Sequence, residues 1–142
     1  MEPEWRVAVV VLALALGFLG WWVAQRSRGV LRATPVGGAI PTAVAHLAGE
    51  RLTVLQVSSE HCSACLRGAR VWREAIGGGL GVGFAEIDAS DHMDLVRELG
   101  ILTTPTALVY DGAGQLRGRV TGAPTPRAAT DALERAQNGA LR

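Results

Sequence analysis

The sequence predicts a three-layer α/β domain, a central mixed sheet with helices on both faces, preceded by one N-terminal transmembrane helix. Three observations predict it. Strand-like and helix-like segments alternate from residue 40 onward. The chain's only two cysteines, Cys62 and Cys65, stand where a strand-like run gives way to a helix-like one. Residues 7–24 hold no charged or strongly polar side chain.

That apolar stretch comes first in the chain. As a helix rising ~1.5 Å per residue it is about 27 Å long, close to the thickness of a hydrocarbon core. Trp5 lies at one end and Trp21 and Trp22 at the other, where aromatic rings favour the membrane interface. Arg6 and Arg26 close the ends. A cleaved signal peptide is the main competing reading. The acidic start and the lack of a small-x-small site favour a retained anchor instead. Three parts are expected: an anchor over 1–25, a juxtamembrane linker over 26–38 and one domain over 39–142. The linker is Arg-bearing and broken by Pro35, Gly37 and Gly38. Arg26, Arg28 and Arg32 follow the span, and only Arg6 precedes it. By the positive-inside rule the domain faces the cytoplasm, with an extracytoplasmic domain as the alternative.

Composition narrows the rest. The chain of 142 residues suits one small domain with a real core. A formal net charge of +1 argues against a nucleic-acid partner. All 14 basic residues are Arg, so lysine-based catalysis is excluded.

Within the domain, Pro41 suits the first turn of a short helix over 41–48. Residues 52–57 are β-rich and apolar, as a buried strand should be. After Cys62 the apolar positions Cys65, Leu66, Ala69, Trp72 and Ile76 fall at helical spacing, and Gly77–Gly79 end the run. A second strand is expected over 81–88. Ser90 or Asp91 is a candidate cap for a helix that Gly100 closes. A third strand over 106–110 leads through the turn 111–114 into a fourth over 115–121. Thr125 as cap and Pro126 in the first position start a last helix running to about Gln137.

The pair Cys62-Ser63-Ala64-Cys65 carries the chemistry. Cys62 falls at a helix N-terminus, where unpaired N–H groups and the helix dipole favour a thiolate. Cys65 lies one turn on, within the ~4.4–6.8 Å Cα separation that a disulfide requires. Cys62 therefore attacks and Cys65 resolves. A metal site is the alternative use of such a pair, but it needs more ligands, and the histidines are only His46, His61 and His92. A purely structural disulfide is weakened by its short loop.

The element order, with C-x-x-C at the first strand-to-helix junction, resembles the thioredoxin fold. The segment Gly100-Ile-Leu-Thr-Thr-Pro-Thr106 is similar to the family's cis-proline segment, at a matching distance from Cys65. Gly122 fits as well. The resemblance implies a cis bond at Thr104–Pro105, in a loop that lies against the cysteines and pairs with bound substrate. It implies a thiol–disulfide oxidoreductase that needs no cofactor beyond the Cys62–Cys65 dithiol. Its partners would be a disulfide-bearing protein substrate and an upstream thiol reductant. His61 stands where thioredoxins usually carry Trp. Either it sits at the substrate side and its imidazolium steadies the thiolate, or it is a solvent-facing loop residue. Gln56 replaces the buried Asp of thioredoxins, which is thought to take the resolving thiol's proton, and Ser58 replaces a Trp. The family's usual first strand has no clear counterpart, though residues 30–33 could supply a short one. Two other functions fit the same residues. One is an extracytoplasmic thiol reductant in cytochrome c or metal-site maturation. The other is a non-catalytic binding module on the same fold.

Overall fold

A computed structural model of the protein describes residues 4–26, 29, 31–32, 38–79 and 81–139. Helix α1 (Glu4–Arg26) is followed by strand β1 (Leu31–Arg32), a 3-10 turn (Ala45–Leu47), β2 (Leu52–Ser58), α2 (Ser63–Ile76) and β3 (Val82–Asp88). The chain continues through α3 (Met93–Glu98), β4 (Thr106–Asp111), β5 (Leu116–Thr121) and α4 (Pro126–Gln137). The sheet order is β1-β5-β4-β2-β3. β2 and β3 run parallel across the α2 crossover, and the remaining pairs are antiparallel. That mixture follows from connection length. A helix returns the chain for a parallel strand, whereas the short turn after Asp111 gives an antiparallel hairpin.

Helices cover both faces. Leu52 and Val54 of β2 meet Trp72 of α2 and Ala129, Ala132 and Leu133 of α4. Leu55 and Val57, with the opposite pleat, meet Val44, Ile101 and the α3 side. Every residue of β2 is buried, as the centre of a sheet covered on both faces demands. The loop ends of β2 and α2 are thereby held on a rigid frame.

Local signals explain most element ends. The Thr125 hydroxyl accepts a hydrogen bond from Ala128 N at 3.2 Å, and Pro126 occupies the first turn of α4. Gly77 ends α2 at φ 54, a left-handed conformation that glycine adopts freely. Two expectations need correction. The segment after Pro41 makes only a turn and a 3-10 helix, since Val44, rather than an apolar helical stripe, is its buried anchor. α3 starts at Met93 after His92, with no side-chain cap, because the Ser90 hydroxyl and amide both turn back to Asp88 Oδ1. Leu31 and Arg32 pair with Val120 and Arg119, forming the short first strand that residues 30–33 could supply. Arg28, Pro35 and Gly37 of the expected linker lie outside the described residues.

α1 is exposed at every position from Trp5 to Ala24. It is the one helix among the described residues that is long and apolar enough to cross a membrane.

Candidate redox site

Cys62 is the N-cap residue of α2, at φ −94° and ψ 95°. Its carbonyl accepts from Cys65 N at 3.0 Å and Leu66 N at 3.3 Å, and its Sγ accepts from Cys65 N at 3.1 Å. The sulfur thus faces a backbone amide in the first turn of α2. Cys62 and Cys65 form a disulfide with their Cα atoms 5.2 Å apart. Burial separates the two: Cys65 is 2% exposed, while Cys62 remains partly open to solvent. An incoming thiol or disulfide can therefore reach Cys62 only.

His61 precedes the pair at φ 60, a left-handed conformation in which His is several-fold enriched among non-glycine residues. It bends the chain from the end of β2 into α2, and its side chain is exposed. The Thr104–Pro105 peptide bond is cis. Pro105 is buried, and its carbonyl accepts from Gly122 N at 2.8 Å. The hydroxyls of Ser59 and Thr104 are 2.8 Å apart, which ties the proline loop to the cysteine loop. Arg119 of β5 donates to the carbonyls of Leu99 and Gly100 and steadies the start of that loop. The structure thus brings Cys62, Cys65 and the Thr104–Pro105 loop together, with His61 at the edge.

Beneath the cysteines, sequence reasoning names Gln56 and Ser58 but misses their partner Glu86 and its counterion Arg73. Gln56 is fully buried, and its Nε2 lies 2.9 Å from Ser58 Oγ, 3.0 Å from the Cys65 carbonyl and 3.1 Å from Glu86 Oε1. The Ser58 hydroxyl also donates to Glu86 Oε1 at 2.7 Å, and Arg73 pairs with Glu86 Oε2 at 3.3 Å. A cleft of about 540 Å³ opens beside the disulfide, lined by Ser58, His61, Cys62, Cys65, Glu86 and Asp88 among others. Hydrogen bonds from the Ser90 hydroxyl and amide hold the Asp88 carboxyl below the usual range. The only signal for Glu86 was its strand register: in a parallel pair it stands beside Gln56.

No family model matches the chain. No curated protein matches it either. Solved structures do. The thioredoxin of Malassezia sympodialis superposes with a TM-score of 0.56 at 22% identity, covering 73% of this chain and 95% of that one. Mitochondrial thioredoxin 3 of Saccharomyces cerevisiae gives 0.54 at 21%, covering 63% and 82%. The thioredoxin of Trypanosoma brucei brucei gives 0.53 at 25%, covering 63% and 77%. The chain therefore has the thioredoxin fold, with a C-x-x-C disulfide at the head of α2. The likeness is one of fold, and within that fold Cys62 and Cys65 are joined as a disulfide.

Proposed function

We propose that the protein is a membrane-anchored thiol–disulfide oxidoreductase acting on disulfides of other proteins near the membrane. One observation carries this reading: a solvent-reachable Cys62 at the N-terminus of α2 is bonded to a buried Cys65. In the reducing direction the Cys62 thiolate attacks a substrate disulfide, forming a mixed disulfide and releasing one substrate thiolate. Cys65 then attacks Cys62 Sγ, closes the internal disulfide and releases the second substrate sulfur. Two electrons pass from the dithiol to the substrate, and an upstream thiol reductant restores the pair. The dithiol is the only redox group that this cycle uses. Thr104 and Pro105, tied to the cysteine loop through Ser59, hold the substrate segment across Cys62, and His61 meets it at the edge. The apolar α1 supports a single-pass anchor. The basic residues Arg26, Arg28 and Arg32 support a cytoplasmic domain.

The test is a trapping experiment with the full chain. Cys65→Ser should accumulate protein adducts on Cys62 that a reductant releases, because the mixed disulfide can no longer be resolved. Cys62→Ser should form none. Equal adduct formation by both variants, or none by either, would reject the assignment.

A further inference from the structure

A resolving thiol must lose its proton before it can attack, and burial works against the charged sulfur. Cys65 is 2% exposed, so some nearby group has to take that proton. Gln56, buried against α2, holds the Cys65 carbonyl and has no proton-accepting charge. Its Oε1 is buried without a partner. Its orientation is set all the same. Nε2 faces three acceptors, whereas a flipped amide would place Oε1 against the Cys65 carbonyl and the Glu86 carboxylate.

Resting on the oxidoreductase reading above, we infer that Glu86 is the proton acceptor and donor for Cys65, with Gln56 and Ser58 as the residues that position it. The carboxylate has about four acceptor sites. Gln56 Nε2 and Ser58 Oγ use Oε1, and Arg73 uses Oε2. Acceptor capacity remains, and the side chain is 30% exposed where it lines the same cleft as Cys65. In the resolving step the Cys65 proton passes to Glu86 through the solvent that fills the cleft. The Cys65 thiolate attacks Cys62 Sγ, and the bond between Cys62 and the substrate sulfur breaks. Its electron pair leaves on the substrate thiolate. When an upstream thiol later opens the disulfide at Cys62, Glu86 returns the proton to Cys65. Gln56 and Glu86 belong together in this arrangement. An Asp at 56 would set two carboxylates side by side across the β2–β3 register.

The test uses the full reduced chain in detergent micelles with 5,5′-dithiobis(2-nitrobenzoate), followed by stopped-flow absorbance. The first nitrothiolate reports attack by Cys62, and the second reports resolution by Cys65. Cys65→Ser identifies the first phase because it releases only one. Glu86→Gln should slow the second phase at least about tenfold, less than the ~10²–10⁴-fold of a directly placed acid–base group because the proton crosses solvent. The second phase should also lose the acid limb of its pH profile, while the first phase changes far less. Asp88 from β3 and Glu60 and His61 from the loop also line this cleft, Arg73 from α2 pairs with Glu86, and all four are unchanged in that comparison. Glu86→Asp should keep the limb. Gln56→Asp combined with Glu86→Gln should restore the second phase to within about threefold, by returning a single carboxylate to the site. A second phase that Glu86→Gln leaves within threefold, or a loss that the double variant fails to rescue, overturns the assignment. Absence of any release from the native reduced chain overturns the oxidoreductase reading itself.

Discussion

At Gly68, α2 lies against the buried amide of β2. A methyl group there would lie 2.9 Å from Gln56 Oε1. Two effects oppose each other. Alanine in a helix interior gains about 1 kcal/mol over glycine. Crowding a packed site costs about 1–3 kcal/mol, and Gln56 cannot swing aside without losing bonds worth about 1 kcal/mol each. Because Gln56 is fully buried and held by three acceptors, crowding wins. Gly68→Ala should destabilise the chain by about 1 kcal/mol in urea denaturation. The same change in a Gln56→Ala background should be neutral or stabilising, since the obstacle is gone. A stabilising Gly68→Ala in the native background would show that Gln56 is not held in place.

The β4–β5 hairpin depends on one carboxylate. Asp111 Oδ1 accepts from Ala113 N at 2.9 Å and Gln115 N at 2.8 Å, and Oδ2 accepts from Arg117 Nε at 2.7 Å. Burial opposes its ionisation. The Gln115 amide, the Arg117 guanidinium and the Ala113 amide outweigh it, so the carboxyl is held below its ordinary value of 3.8. A depressed folded value means the stabilisation is complete above that ordinary value and lost as pH falls through the folded one. Asp111→Asn should therefore cost about 1 kcal/mol at pH 7, and its deficit should shrink as pH falls below about 4. Melting temperatures of both forms across pH 2–7 check this, and a deficit independent of pH would mean the charge is not what matters. The hairpin was legible in the sequence because its determinants sit within a few residues, as was the Thr125–Pro126 start of α4. The strand before Cys62 and the helix that follows it were legible from period and composition. The cap of α3 was not, because the choice between Ser90 as cap and Ser90 as partner of Asp88 depends on where β3 ends. Nor was the Gln56–Ser58–Glu86 cluster, whose members meet through β2–β3 register across about thirty residues. A sequence read without pairing shows Gln56 only as a lost carboxylate. With pairing, it becomes the donor that orients another one.

On the scale of the whole molecule, the proposed anchor α1 would decide where the chemistry happens. Its exposed face takes in every side chain from Trp5 to Ala24, including Phe18 at 66% and Leu14 at 68%. Each large apolar side chain left in water forgoes about 1.5–3 kcal/mol, so α1 requires an apolar medium to cover it. A bilayer matches its length, with Trp5 at one interface and Trp21 and Trp22 at the other. On the proposed reading, a redox domain tied to such a helix would work on disulfides close to the membrane, and the compartment would set its direction. Arg26, Arg28 and Arg32 against the single Arg6 predict the domain on the cytoplasmic side. In intact cells expressing the chain, a membrane-permeant maleimide should label Cys62, and an impermeant one should not. Replacing Arg26, Arg28 and Arg32 with Gln and adding Arg residues before Trp5 should invert that pattern, as the flanking basic residues set orientation. Labelling of the native chain by the impermeant reagent would place the domain outside the cytoplasm, and a mature chain shortened at its N-terminus would make α1 a cleaved signal sequence. Either result would redirect the same Cys62–Cys65 centre toward forming disulfides or maturing proteins outside the cytoplasm, with the chemistry at Cys65 unchanged.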